Sequence, residues 1–176
     1  KIGLLNEIMF QIPVPWKSVR YDAITHHFAL DYLEQYKPKL LYIAYDETDE
    51  YAHEGKYDQY LIAAHRLDKY VGDLWNWIQK DYHYKNKTTI LITTDHGRGH
   101  ETMDAWRNHG SSVKGAENVW MAVIGPDTPP KGELLDSEPM TSSQVAATIA
   151  AFLGFEYSKE RPVGPVMNSM FYDIKR

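Results

Sequence analysis

The chain has 176 residues, 43% hydrophobic and 24% charged, a composition that can bury a core and is not that of a disordered segment. Its 24 Asp and Glu outnumber 19 Lys and Arg, giving a formal charge of −5 and no basic surplus to follow a phosphate backbone, so nucleic acid is not expected as a partner. No run reaches the roughly 20 apolar residues of a membrane span, and without cysteine any metal must be held by His and carboxylates.

The opening Lys1-Ile2-Gly3-Leu4-Leu5 has neither an initiator Met nor the regions of a signal peptide, and reads as the start of a fragment or processed product. Pro13 and Pro15 interrupt the first segment, so a loop or edge strand is predicted up to Arg20. From Tyr21 to Tyr36, Ile24, Phe28, Leu30 and Leu33 recur near helical spacing, and Lys37-Pro38 ends the helix. The apolar run Lys39 to Tyr45 reads as a buried parallel strand, followed by a polar loop with the acids Asp46, Glu47, Asp49 and Glu50. A long helix is predicted from Gly55 to Lys80, with Tyr60, Ala64, Leu67, Val71, Leu74 and Ile78 in one stripe.

Thr88 to Thr94 is β-branched and runs straight into Asp95-His96-Gly97, and a third apolar run, Val119 to Ile124, stops at Gly125-Pro126. After a Pro-rich stretch, Ser142 or Ser143 is placed to cap a helix from Gln144 to Leu153, closed by Gly154. The last twenty residues read as a loose tail. This order predicts an α/β fold, a mostly parallel sheet with helices on both faces, and a single domain over residues 1–176. In such sheets ligands bind beyond the carboxyl ends of the strands.

The candidate chemistry lies at those ends. Asp49 and His53 are four apart, so one helical turn would place carboxylate and imidazole on one face. Asp22 and His26 share this spacing but open a helix after an irregular segment, and Asp22 is read as a helix-start residue. Asp95-His96 sits at the second strand end, and His109-Gly110 in the loop before the third. Asp49, His53, Asp95, His96 and His109 outnumber the four ligands of one tetrahedral zinc, which argues for two metals sharing a site.

Taken in order, the strand before Asp49-x3-His53, then Thr94-Asp95-His96-Gly97, His109-Gly110, Trp120 to Pro126 and Gln144 to Gly154 resemble the carboxyl-terminal half of the alkaline phosphatase superfamily. That superfamily includes nucleotide pyrophosphatase/phosphodiesterases, phosphomutases and sulfatases. The resemblance implies an alkaline-phosphatase-like fold, present here as the C-terminal portion of a larger catalytic domain. It implies a metal-dependent hydrolase of phosphoric esters, phosphodiesterase or phosphatase, with a phosphomutase or a sulfatase as alternatives and a noncatalytic metal-binding module as a third reading.

By the same resemblance Asp49, His53 and His109 bind one metal and Asp95 and His96 part of a second, with His100 the rival of His109. The family's Ser or Thr nucleophile and a further Asp have no counterpart; Ser18 lacks a preceding strand and is not assigned. The expected partners are a small-molecule phosphate ester and the missing N-terminal half of the same domain. Imidazole with carboxylate suits zinc first, with manganese also compatible, whereas a sulfatase would use calcium and mainly oxygen ligands.

Other residues take plainer readings. His26, His27, His65 and His83 lie in or beside helices and read as solvated or hydrogen-bonded imidazoles. Arg98 reads as a surface arginine within reach of a phosphate oxygen, Trp106 as packing or a stacking platform, and Asp46 and Glu50 as solvated acids or supports for His53.

Overall fold

The computed structural model describes residues 2–135, 138–158 and 160–172. Among these residues, five α-helices and two short strands follow in the order α1 (Ile2–Gln11), α2 (Asp22–Tyr36), α3 (Glu47–His53), α4 (Tyr57–Ile78), β1 (Ile90–Thr93), β2 (Met121–Ile124) and α5 (Val145–Phe152). No helix among the described residues is long and apolar enough to cross a membrane.

The core lies where α2 and α4 meet the strand region. Leu33, Leu74, Ile78 and Tyr84 are buried together, with Leu30, Leu41, Ile43, Trp77 and Ile90 packed against them. The stripe predicted along α4 supplies Leu74 and Ile78, and Trp77 takes the packing role expected of it. α2 ends as its sequence dictates, with Lys37 in the left-handed region (φ 48°) ahead of Pro38 and its N–H returned to Leu33.

The mixture of helices with a small sheet agrees with an α/β composition, but no parallel sheet is seen among the described residues. β1 and β2 pair antiparallel, from Ile90 opposite Ile124 to Thr93 opposite Met121. Residues 40–45 alternate in exposure, turning Leu41 and Ile43 toward the core, yet no backbone ladder joins them to another segment among the described residues. An apolar alternating run sets an extended chain; a strand also needs a neighbour to receive its N–H and C=O groups.

Three further expectations are corrected. The first segment is not loop or edge strand: Ile2–Gln11 is helical, because the restriction imposed by Pro13 begins only at the residue before it. The acids after Tyr45 form helix α3 rather than a loop. The tail through Tyr172 is docked: Met167 N–H donates to Thr148 Oγ1 at 3.0 Å, Met167 and Met170 are buried, and Phe171 stacks on Phe152 at 4.1 Å. The start of α5 also differs slightly. A short 3-10 turn at Ser142–Gln144 precedes it, and Gln144 Oε1 accepts from the N–H of Thr141 at 2.8 Å, so Thr141 takes the capping position.

Candidate metal centre

Two segments meet to build the site. The first is α3, whose N-terminus is fixed by side chains from its neighbours. The Asp22 carboxylate accepts from the N–H of Asp46 (2.8 Å) and of Glu47 (3.3 Å), while Glu47 Oε1 accepts from the N–H of Asp22 (2.9 Å) and Glu47 Oε2 pairs with Arg66 of α4 (2.8 Å). One helical turn on, Asp49 and His53 share a face, with His53 Nε2 at 3.3 Å from Asp49 Oδ2.

The second segment is the loop after β1. The N–H of Gly97 donates to Ala116 O (2.7 Å) and that of Gly99 to Asn108 O (3.1 Å), folding residues 96–118 back so that His109 lies over His96. Their rings stack at 3.7 Å and 11°. Arg107 ties this loop to α3 by donating to His53 O at 3.3 Å, and Trp106 packs on Tyr57 and Tyr60 of α4, which accounts for it without a substrate.

The donors converge on one carboxylate. His96 Nε2 and His109 Nε2 each lie 3.6 Å from Asp49 Oδ1, and His53 Nε2 lies 3.0 Å from His109 Nε2. Zinc bonds of about 2.0–2.1 Å in a tetrahedron place neighbouring ligand atoms about 3.3–3.4 Å apart, so this spacing fits a shared cation. Asp49, His96 and His109 are grouped so that each offers one ligand atom within 4.8 Å of the other two.

Protonation favours the same use. His96 Nδ1 faces the carbonyl of Gly97 at 2.9 Å, and a carbonyl only accepts, so Nδ1 carries a proton and Nε2 is the nitrogen turned to the cluster. Partial burial first, and then His96, hold the His109 imidazole below its ordinary pKa, with Asp49 pulling the other way. A neutral imidazole is the form that ligates.

Asp95 stands at the edge. Its carboxylate is 87% exposed, 3.7 Å from His96 Nε2, and accepts from the N–H of His96. His100 is exposed and its ring lies against Gly115 instead of in the cluster. His26 is buried, with Nδ1 at 3.0 Å from Tyr45 Oη and its ring stacked on Tyr70.

The residues that sequence reasoning undervalued are Arg98 and Glu47. Arg98 is mostly buried and pairs directly with Asp49, its other arm reaching Arg107 O. Its place straight after Asp95-His96-Gly97 was the available signal. Glu47, 1% exposed, had no signal, since a buried acid within an acidic run looks like its solvated neighbours.

The chain thus combines an α/β-type composition with three imidazoles around one carboxylate, a candidate metal centre. A sequence profile of the type I phosphodiesterase/nucleotide pyrophosphatase family matches residues 6–140, and the chain belongs to that family, within the alkaline phosphatase superfamily. It is also 27% identical over 121 residues to the 2,3-bisphosphoglycerate-independent phosphoglycerate mutase of Mycoplasmopsis synoviae (strain 53), an alignment that covers 69% of this chain and 22% of that protein. No solved structure matches the chain.

Proposed function

We infer that the chain supplies the metal-binding portion of a metal-dependent hydrolase of phosphoric esters, a phosphodiesterase or phosphatase. The observation that carries this reading is the convergence of His53, His96 and His109 on Asp49 at ligand-to-ligand spacing, in a member of a phosphodiesterase family. In this reading Asp49, His53 and His109 hold one divalent cation, zinc before manganese, while Asp95 and His96 lend donors to a second. The cations would stabilise charge on the phosphoryl oxygens and lower the pKa of the attacking group.

The residues of the cluster have separate tasks. Asp49 neutralises cation charge and orients the imidazoles around it. Arg98, with its planar fork beside Asp49, is placed to bind a phosphoryl oxygen. The substrate is a small phosphate ester, and the nucleophile and the further Asp come from sequence outside this chain. The alignment with 22% of the mutase supports that division.

The same alignment supports a second reading, a phosphomutase, which would return the phosphoryl group to its substrate. A sulfatase is less well served by three imidazoles, and a noncatalytic metal-binding module would bind cations without turnover.

The test measures zinc in the purified chain by inductively coupled plasma mass spectrometry, beside a His53→Ala/Asp95→Ala variant, and then turnover of bis(4-nitrophenyl) phosphate by the longer protein. Zinc at about one equivalent or more in the wild type and lost in the variant is the expected result. A wild-type chain that takes up neither zinc nor manganese when supplied in excess would sink the metal site. Phosphoryl transfer with no release of inorganic phosphate would replace the hydrolase by the mutase.

A further inference from the structure

The two N-termini of α2 and α3 cap one another through buried acids. Each helix begins with N–H groups that lack intrahelical partners, and each of Asp22 and Glu47 gives its carboxylate to the other helix's first turn. Asp22 is 3% exposed and Glu47 1%. Burying two carboxylates is costly unless they are hydrogen-bonded and compensated, and here the compensation comes from backbone N–H groups and from Arg66 on a third helix.

The clasp lies directly upstream of the candidate ligands. Glu47 is two residues before Asp49 and on the same seven-residue helix as His53. A helix so short is not stable on propensity alone, so its place depends on what grips its ends. At its start the grip is Asp22, Glu47 and Arg66; at its end it is Arg107 on the carbonyl of His53. Tyr51, midway, is packed edge-on by buried Trp16 at 5.0 Å.

Resting on the metal-site reading, we propose that the Asp22–Glu47–Arg66 clasp is a positioning device for the metal centre, setting α3 so that Asp49 and His53 meet His96 and His109. Neither acid touches the candidate cation; both act through the backbone of α3. The spacing that makes Asp22/His26 look like a second ligand pair is therefore put to a different use, with Asp22 capping α3 while its own N–H is capped by Glu47, and His26 bonded to Tyr45.

The experiment uses cobalt(II) as a spectroscopic probe on the full 176-residue chain, together with amide hydrogen exchange of the metal-free protein read by mass spectrometry. Four variants are compared: Asp22→Ala, Asp22→Asn, Glu47→Gln and, as a control for general destabilisation, Ile78→Val in the helical core. Supports of metal ligands commonly contribute 10–100-fold to affinity, so Asp22→Ala should bind cobalt about tenfold or more weakly, with its visible absorption altered.

Asp22→Asn keeps an acceptor for the α3 N–H groups and should recover binding to within about threefold of wild type. Glu47→Gln, whose amide cannot serve both the Asp22 N–H and Arg66, should fall between them. Exchange should quicken over 47–53 in Asp22→Ala and Glu47→Gln. Ile78→Val should lower the Tm with cobalt affinity unchanged.

Unchanged exchange over α3 in both Asp22→Ala and Glu47→Gln would overturn the proposal, as would cobalt affinity that follows Tm in every variant including Ile78→Val. If Asp22→Ala does not fold, Glu47→Gln decides by the same two readouts. A wild type that takes up no cobalt would count against the metal site, and the exchange measurement would then judge the clasp by itself.

Discussion

Three imidazoles and a guanidinium share the Asp49 carboxylate, so this residue should dominate cation binding. Replacing it with Asn keeps the shape and removes the charge that both the cation and Arg98 require. Since even outer supports contribute 10–100-fold, Asp49→Asn should weaken zinc binding by more than about 100-fold in isothermal titration. Asp95, 87% exposed at the rim, predicts a contrast: Asp95→Asn should leave the tightest zinc in place and remove only a weaker second one. Equal losses in the two variants would mean that the cluster does not centre on Asp49. Four of the five candidate ligands drew attention in the sequence by a short-range pattern, the i,i+4 pair Asp49/His53 and the dipeptide Asp95-His96, while His109 had only its place in the loop before the third apolar run. Glu47 was missed because its importance lies in burial, which no local pattern records, whereas Arg98 had its place after Asp95-His96-Gly97 as a signal but not its pairing with Asp49.

The loop from His96 to Asn118 is the element that turns two separate motifs into one cluster. It can fold so tightly because Gly97 has no side chain: a Cβ there would meet Asn118 O at 2.2 Å and Gly115 O at 2.5 Å, both backbone atoms that cannot swing aside. Gly97→Ala should therefore cost about 1–3 kcal/mol, the range for an overpacked site, and should shift His96 and Arg98 on either side of it. Urea midpoints read the first effect and zinc affinity the second; a variant equal to wild type in both would show that the loop can relax. The helices α2 and α4 were legible to within two residues at each end because apolar spacing and terminators agree. Helix α3 was not, since it is seven charged-rich residues held by tertiary contacts. The buried strand read at Lys39–Tyr45 turns only Leu41 and Ile43 toward the core, leaves Leu40 and Tyr42 exposed, and finds no pairing partner among the described residues, because pairing depends on a neighbour the local sequence does not name.

At the scale of the whole molecule, two buried groups on α2 give stability opposite dependences on pH. Burial is the first cause for both. It pulls His26 down to about 4 from an ordinary 6.5, with His27 and Lys69 acting the same way and Asp73 opposing, and it pushes Asp22 up to about 6 from 3.8 against the N–H groups of Asp46 and Glu47. For His26 the folded state holds fewer protons than the unfolded state between about 4 and 6.5, so its contribution is complete above that window and is lost as pH falls through it. For Asp22 the folded state holds more protons between 3.8 and about 6, so its contribution is complete below that window and is lost as pH rises through it. The two slopes oppose each other across the shared range, and the wild type should show a flatter Tm there than either variant. His26→Gln removes the first slope, so the Tm advantage of wild type over this variant should grow as pH rises from about 4 to 6.5. Asp22→Asn removes the second, and the corresponding advantage should shrink as pH rises from 3.8 to about 6. Thermal melts monitored by circular dichroism read both, and advantages that do not change with pH would mean that neither group is as enclosed as its contacts with Tyr45, Tyr70 and Glu47 require.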